Sequence, residues 1–377
     1  MSALNPSDIS PETLNLVRLS LVPGIGPRIA SDLLERFGTA SAVFEANGAE
    51  LLSIPSVKPK VSAAITAARS DGAAEAEIEE CGRRGISLIP RGSTLYSRML
   101  AETHDPPALL YCRGAILPQD DLAVAIVGSR HCTLYGRQMA EKLAGGLARA
   151  GVTIISGLAR GIDACAHRGA LDAGGRTIAV CAPGLNTVYP PEHAELAVEI
   201  AASGALLSES PLAREARPGL FPQRNRIISG LSLGVIIVEA GRRSGALHTS
   251  RHAMEQGRDV FAVPGRIDSL PSQGCHDLIR DGVPLIRGVD DVLEALAPLM
   301  KPVRRETGEV VQSPRELLLN EIETLVLNQV TQEAQHVDSL LPVDGLEPSQ
   351  LLATLTILEM KRLVRRLPGG FVVRSPY

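Results

Sequence analysis

The fold is decided by LAVAIVGSR (122–130), VTIISGLAR (152–160) and LGVIIVEAG (233–241), short apolar runs that each end at a turn containing glycine. Three similar runs are RTIAVCAPG (176–184), GALLSES (204–210) and DVFAVPG (259–265). Helical patterns separate most of them, at 135–150, 162–173, 192–203 and 246–256. Apolar strands that alternate with helices are typical of a parallel sheet covered on both faces. The pattern therefore predicts an α/β domain with a Rossmann-like parallel sheet over residues 92–300.

A helical segment, residues 1–91, precedes the sheet domain. It contains LVPGIGPRIASDLLERFG (21–38), in which a Pro-Gly-Ile-Gly turn precedes an amphipathic helix and resembles a helix-hairpin-helix. The pattern recurs 32 residues later as IPSVKPKVSAAI (54–65), where Ser56 and Lys58 replace the two glycines. Glycines allow a sharp turn, after which the N–H groups of the next helix can face a phosphate. A purely structural, SAM-like helical domain is the alternative.

Residues 301–313 are rich in proline and charge, which predicts a linker. The last segment, 314–377, has helical patterns at 317–330, 336–341 and 347–363, followed by VRRLPGGFVVR (364–374) with two short strands. This order predicts a winged helix. Its third helix carries basic residues only near its end, at Lys361 and Arg362. We therefore expect protein contact or weak backbone binding from it, rather than sequence-specific readout of a duplex.

Composition narrows the class of protein. The chain has 377 residues, of which 45% are hydrophobic, but it contains no apolar run of the ~18 residues that a membrane span needs. No basic region followed by a hydrophobic stretch opens the chain, and the six cysteines form no CxxC pair, so we expect a cytoplasmic protein with reduced thiols. The formal net charge is −4. Binding to nucleic acid would therefore require a local basic patch.

Several cofactor and catalytic motifs are missing. The turn after the first central strand, GSRHCTLYG (128–136), is not a GxGxxG dinucleotide motif, and the chain has neither GxxxxGK[ST] nor GxSxG. His248 and His252 lie one helical turn apart, but no third metal ligand is spaced nearby. The sequence thus predicts no cofactor, no metal and no catalytic residues.

Basic and small residues follow the central strands. Gly128, Ser129 and Arg130 end one strand, and Ser156 and Gly157 end the next. The carboxyl ends of parallel strands share one edge, where ligands of such sheets bind. Turns that lead into helices offer N–H groups to an anion, and arginine adds a bidentate partner for phosphate. The predicted edge also receives GRRSG (241–245), which contributes Arg242 and Arg243.

FPQRNRII (221–228) places an aromatic ring beside a dense cluster of arginines. Single-stranded nucleic acid is bound by such a combination, because arginines follow the phosphates while the ring stacks on a base. The candidates are Arg217, Phe221, Arg224, Asn225 and Arg226. Alternatively, Phe221 belongs to the core and the arginines pair with Glu209, Glu215 or Glu239.

A series of motifs in the middle of the chain resembles the DNA-processing protein A (DprA/Smf) family. In order they are YSRML, DPPALLYCRG, AIVGSRHCTLYG, ISGLARGIDACAHRGAL, TIAVCAPGLNTVYP, FPQRNRIISGLS, VIIVEAGRRSGALHTSRHAMEQGRDVFAVPG and LIRDGV, within 96–283. The resemblance implies an extended Rossmann fold without catalysis that binds single-stranded DNA. It also implies a homodimer that loads the recombinase RecA in natural transformation and homologous recombination.

The resemblance also implies DNA contacts at Arg130, at the turn formed by Ser156 and Gly157, and at Phe221, Arg224 and Asn225. Some relatives have a lysine shortly before the Phe-Pro pair, where this chain has Arg217. Two other functions stay open. One is a nucleotide-processing enzyme of the phosphoribohydrolase type, with Glu239 as the acid and Arg224 as the phosphate clamp. The other is a duplex-binding regulator that acts through the winged helix.

Overall fold

The computed structural model describes residues 9–297, 303–304, 310–311, 321–331, 333–340, 348–360 and 363–374. Its N-terminal part consists of helices α1 (Pro11–Leu21), α2 (Pro27–Phe37), α3 (Ala40–Glu45), α4 (Gly48–Leu52), α5 (Pro59–Ala67) and α6 (Ala73–Arg83). The repeat read from the sequence is present in the structure. Both α2 and α5 begin at a proline. Before each of them the same four-residue turn is closed, by the N–H of Ile25 in one case and by that of Val57 in the other. The second turn therefore forms without its glycines.

An eight-stranded sheet forms the centre of the molecule. Its strands are β1 (Ile86–Pro90), β2 (Leu109–Gly114), β3 (Ala123–Gly128), β4 (Thr153–Ser156), β5 (Thr177–Cys181), β6 (Ala205–Ser208), β7 (Gly234–Val238) and β8 (Asp259–Ala262). Their order is β1-β2-β6-β5-β4-β3-β7-β8. Strands β3 to β8 are parallel, which confirms the predicted parallel core, whereas β2 runs antiparallel to β6 and β1 antiparallel to β2. Since β1 belongs to the sheet, the sheet begins before the boundary drawn at residue 91.

Helices cover both faces of this sheet. After α7 (Arg98–Ala101) come α8 (Leu134–Arg149), α9 (Ile162–Asp172), α10 (Ala194–Ser203), α11 (Leu220–Gly230), α12 (Ala246–Glu255), α13 (Gln273–Arg280) and α14 (Val289–Leu296). Helices α8 and α9 pack on one face through residues such as Leu147 and Ala166. Helices α11 and α12 pack on the other through Ile227 and Ala253. The strands between these layers are buried on both sides, which explains their uninterrupted apolar sequences.

The connections from β3 diverge at one point of the sheet. From β3 the chain moves through α8 to β4 on one side, and β7 later pairs with the other side of β3. The helices that follow β3 and β7 thus lie on opposite faces, which opens a crevice between the carboxyl ends of these two strands. Ligands of open α/β sheets bind at such a switch point.

The C-terminal residues form a separate small core. In the predicted linker the structure describes only β9 (Val303–Arg304) and β10 (Val310–Val311), which pair with each other. Beyond it are α15 (Glu321–Gln329), β11 (Gln335–His336), a 3₁₀ helix (Val337–Leu340), α16 (Pro348–Met360), β12 (Val364–Leu367) and β13 (Phe371–Arg374). The three strands form an antiparallel sheet, as in a winged helix. The helix predicted at 336–341 is instead a two-residue strand and a 3₁₀ turn, and Lys361 and Arg362 lie outside the described residues.

Within the described part of the chain, no helix combines the length and apolar character needed to cross a lipid bilayer.

Candidate nucleic-acid interface

The turns that follow β3 and β4 meet at the carboxyl edge of the sheet. Ile162 at the start of α9 donates its N–H to the carbonyl of Ser129 at 3.1 Å, and Ser129 donates its own N–H to the carbonyl of Glu239 at 2.7 Å. The edge also receives the N-terminal half of α11 and the loop around Tyr189. We call residues 128–130, 156–161 and 217–223, together with Tyr189, the rim.

Two glycines permit the close approach of these turns. A Cβ on Gly128 would overlap the carbonyl of Val238 and lie 2.6 Å from the Ile162 side chain. Gly161 has a φ of +76°, and a Cβ there would lie 2.8 Å from the carbonyl carbon of Arg130. No side chain caps the N-terminus of α9, which starts directly after Gly161. The first N–H groups of a helix have no intrahelical acceptor, so this end of α9 can receive an anion.

A row of three side chains lines the exposed part of the rim. The Arg130 guanidinium lies over the ring of Phe221, 5.0 Å from its centroid. The centroids of Phe221 and Tyr189 are 5.6 Å apart and the planes of the two rings are tilted by 54°. Arg130 is exposed, and Tyr189 exposes 39% of its surface. The row therefore offers a cation and two aromatic rings to solvent.

Tyr189 is the residue of this row that the sequence analysis did not select. A usable signal was present, because the chain has only five tyrosines and five phenylalanines. An aromatic residue in the turn after a central strand, as in the stretch NTVYP (186–190), is a candidate for the same edge as Phe221. Its approach to Phe221 nevertheless depends on how the loop at Tyr189 packs against the start of α11, 32 residues later in the chain.

Arg224 lies beneath the rim rather than on it. It exposes only 6% of its surface and donates from Nη1 to the carbonyl of Val180 at 2.7 Å. Its guanidinium packs against Gly157, where a Cβ would lie 2.5 Å from Cζ. Burial lowers the pKa of Arg224, while the neighbouring Asp163 opposes that shift. In this structure the Arg224 side chain is thus engaged in internal contacts, and a direct contact between Arg224 and DNA stays a prediction.

Arg226 is the second arginine of the predicted site whose side chain is buried. It exposes 4% of its surface and pairs with Asp105 at 3.0 Å and with Glu209 at 2.7 Å. Successive residues of an α-helix turn by about 100°, so Arg224 and Arg226 on α11 point to different sides. Here the alternative interpretation, in which arginines of this cluster pair with acids, is correct. Burial raises the pKa of Glu209 and the charge of Arg226 counteracts the rise.

The remaining predicted residues lie at or near the rim with different degrees of exposure. Ser156 is buried and donates its hydroxyl to the carbonyl of Ile126 at 2.6 Å, so this side chain is structural. Asn225 is half-buried and donates to the carbonyl of Gly245 at 3.3 Å, which ties α11 to the loop that carries Arg242 and Arg243.

Three more of the predicted arginines are exposed. Arg217 and Arg243 are exposed, as is Arg242, which pairs with Asp277 at 2.9 Å. Among the residues that the structure describes, no carboxylate lies within ion-pair distance of Arg130, Arg217 or Arg243. Three predicted site residues thus carry exposed positive charge without a carboxylate partner among the described residues, on a chain whose net charge is negative.

Glu239 occupies the switch point, but its carboxylate is engaged. It exposes 3% of its surface and accepts hydrogen bonds from the N–H of Thr133, at 2.7 Å, and from the Thr133 hydroxyl. Its side chain fills the space beside Gly136, where a Cβ would lie 2.6 Å from the carboxylate carbon. Glu239 thereby helps to fix the start of α8. The acid and the clamp of the enzyme hypothesis, Glu239 and Arg224, are both buried in structural contacts.

The histidine pair on α12 shows no metal geometry. His248 is exposed, and His252 Nδ1 lies 3.5 Å from the carboxylate of Glu255 on the same helix. In the described ranges, no three histidine, cysteine or acidic side chains cluster as metal ligands would.

Comparison with known proteins gives two family matches. A model described as DNA recombination-mediator protein A matches residues 87–297, and one described as DprA winged helix domain matches residues 312–370. Protein Smf of Escherichia coli (strain K12) is 40% identical over 295 residues, covering 76% of this chain and 76% of that protein. The DNA processing protein DprA of Bacillus subtilis (strain 168) is 42% identical over 214 residues, covering 56% of this chain and 72% of that protein.

Two solved structures have related folds. DNA processing protein A of Streptococcus pneumoniae superposes with a TM-score of 0.66 at 35% identity, covering 76% of this chain and 98% of that chain. DNA processing protein A of Helicobacter pylori, whose structure is reported for its single-stranded DNA binding mode, gives a TM-score of 0.51 at 31% identity. That match covers 56% of this chain and 96% of the other.

Proposed function

Since this chain belongs to the DNA recombination-mediator protein A (DprA/Smf) family, we propose that it is a DNA-processing protein that binds single-stranded DNA along the rim. The observation that carries the proposal is the exposed row of Arg130, Phe221 and Tyr189. Aromatic rings stack on bases of any sequence, and arginine neutralises phosphate. The row supplies both kinds of contact within the length of a few nucleotides.

The sugar-phosphate backbone of the bound DNA has a second contact point at the rim, the N-terminus of α9. The uncapped N-terminus of α9 lies beside Ser129, whose carbonyl accepts from Ile162. A phosphate placed there meets helix N–H groups and the positive end of the helix dipole. Bases would then lie toward Phe221 and Tyr189. Such contacts read the sugar-phosphate chain and the base faces, so we expect affinity without sequence preference.

We propose in addition that the protein acts as a homodimer in the cytosol and transfers the bound strand to RecA during natural transformation. Family membership supports this part of the proposal. The rim itself is assigned no chemical step, because Glu239 is occupied by Thr133 and Arg224 by Val180. Release of a free base from a nucleoside monophosphate by the purified protein would contradict this assignment.

A binding experiment on the full chain tests the proposal. Fluorescence anisotropy with a labelled unstructured oligonucleotide, and with the same sequence as a duplex, should show tighter binding of the single strand and weaker binding as salt increases. Arg130→Ala should weaken the single-strand complex. Arg149→Ala is the matched control: this exposed arginine ends α8, about 24 Å along the helix from its start at the rim. Duplex binding that exceeds single-strand binding and survives Arg130→Ala would favour a duplex-binding regulator instead.

A further inference from the structure

We infer that Arg224 is a positioning residue for DNA binding: its buried guanidinium holds the turn of residues 156–161 in shape from below and does not contact the DNA. The inference rests on the proposed function, since it concerns how the same rim is built. It reverses the role that an arginine in the stretch FPQRN suggests from sequence.

The first contact that supports this role is with Gly157. Arg224 reaches from α11 under the end of β4, and its Nη1 donates to the carbonyl of Val180 at 2.7 Å. This hydrogen bond fixes the guanidinium between the end of β5 and the turn. A Cβ on Gly157 would lie 2.5 Å from Cζ, 2.6 Å from Nη2 and closer still to Nη1. Glycine is thus required at this position because the guanidinium occupies the space of a side chain.

The second contact is made through Asp163. This residue lies in the first turn of α9, is buried, and accepts a hydrogen bond from the N–H of Ala159 at 3.3 Å. Burial raises the pKa of Asp163, and the charge of Arg224 is the main influence that opposes the rise. A buried charge is costly unless an opposite charge lies near it. The two side chains contact the turn at separate points, Arg224 at Gly157 and Asp163 at Ala159.

The residue between these two points is conformationally strained. Leu158 has a φ of +57°, in the left-handed region that bulky side chains avoid, and its side chain is buried. Strained backbone persists where its surroundings hold it in place, and it is concentrated at binding sites. Arg224 and Asp163 provide that restraint on either side of Leu158. Without Arg224 we expect the turn to relax and its N–H groups to lose their alignment with the rim.

A suppression experiment tests the contact between Arg224 and Gly157. Gly157→Ala should displace the guanidinium and weaken single-strand binding about tenfold, and Arg224→Ala should weaken it by a similar factor. In the Arg224→Ala background the new methyl group meets no guanidinium, so the double variant should bind within about threefold of Arg224→Ala alone. Independent roles would multiply the two losses to about a hundredfold, and that result would overturn the inference.

The salt dependence separates positioning from direct contact. An arginine that neutralises a phosphate releases counterions, so its removal lowers the slope of log K against log salt by about 0.7 for a single strand. Arg130→Ala should show this decrease. Arg224→Ala should lower the affinity at every salt concentration and leave the slope unchanged. A slope decrease for Arg224→Ala equal to that of Arg130→Ala would show a phosphate contact and refute the inference.

A further variant and the wild-type controls keep the test decisive. If Arg224→Ala does not fold, as judged by its thermal unfolding, Arg224→Gln replaces it in both experiments with the same expected results, because glutamine removes both the charge and the guanidinium but keeps an N–H donor near the carbonyl of Val180. The proposed function fails separately: if the wild-type chain does not prefer single strands, or if Arg130→Ala binds as the wild type does, the rim is not the DNA site. If those results hold but the suppression is absent, only the role of Arg224 is wrong.

Discussion

Replacing Phe221 by alanine removes the central member of the exposed row. The ring contacts the Arg130 guanidinium at 5.0 Å and the Tyr189 ring at 5.6 Å. Stacking of a base on an aromatic side chain contributes about 1–3 kcal/mol, and an exposed cation–π contact about 0.5–1 kcal/mol. Because the two rings are tilted by 54°, they do not form one continuous platform, and the loss should correspond to one base. At 1.4 kcal/mol for each factor of ten, affinity should decrease roughly 5- to 150-fold.

The assay is an anisotropy titration of a labelled oligothymidine with the full chain at one fixed salt concentration. Phe221→Tyr is the matched control, since it keeps a stacking ring, and it should bind within about threefold of the wild type. Thermal unfolding of both variants should show that each is folded, because Phe221 is only half-buried. Equal affinities for Phe221→Ala and the wild type would refute the assignment of Phe221 as a base-stacking residue.

Three predictions concern stability. Gly128→Ala should destabilise the fold by roughly 1–3 kcal/mol in urea titrations, because the new methyl group overlaps the backbone of Val238; a neutral effect would contradict the described packing. Burial lowers the pKa of His167 to about 3, below that of the unfolded chain, so the unfolded state binds an extra proton as pH decreases from about 6.5 toward 3. Stability should therefore decrease over that range, by less in His167→Gln, and identical pH profiles would contradict the burial. Arg226→Ala should lower the free energy of unfolding by about 3–5 kcal/mol, because it leaves Glu209 buried without its partner. The variant should keep the salt dependence of DNA binding, and an altered slope would show that Arg226 contacts the DNA.

The central strands could be predicted from sequence because their physical signal is local. Strands β3 to β8 are buried between two layers of helices, so most of their positions are apolar regardless of the face to which they point. Strand β1 carries a weaker signal: it is half-buried in part and lies next to helical sequence, so it was read as part of the N-terminal segment. Its place in the sheet depends on pairing with β2, whose residues follow about 20 positions later. Such pairing cannot be read from periodicity.

The sequence predicts which edge of the sheet carries the candidate site, but not which side chains are exposed there. The turns after β3 and β4 were placed together correctly, because all parallel strands end on the same side. The arginines of α11 could not be sorted, because spacing does not reveal which side of a helix is covered. Arg226 pairs with Asp105, which is 121 positions away in the chain, and Arg224 donates a hydrogen bond to the carbonyl of Val180. Long-range partners of this kind decide whether an arginine is exposed.

The most direct test of the rim as the DNA site is an experimental structure of the full chain with a short oligothymidine. The account predicts a phosphate beside Arg130 and the N-terminus of α9, a base stacked on Phe221 or Tyr189, and no nucleotide atom in contact with the Arg224 guanidinium. An oligonucleotide bound instead at the winged helix or at the turn before α2, with the rim empty, would contradict it.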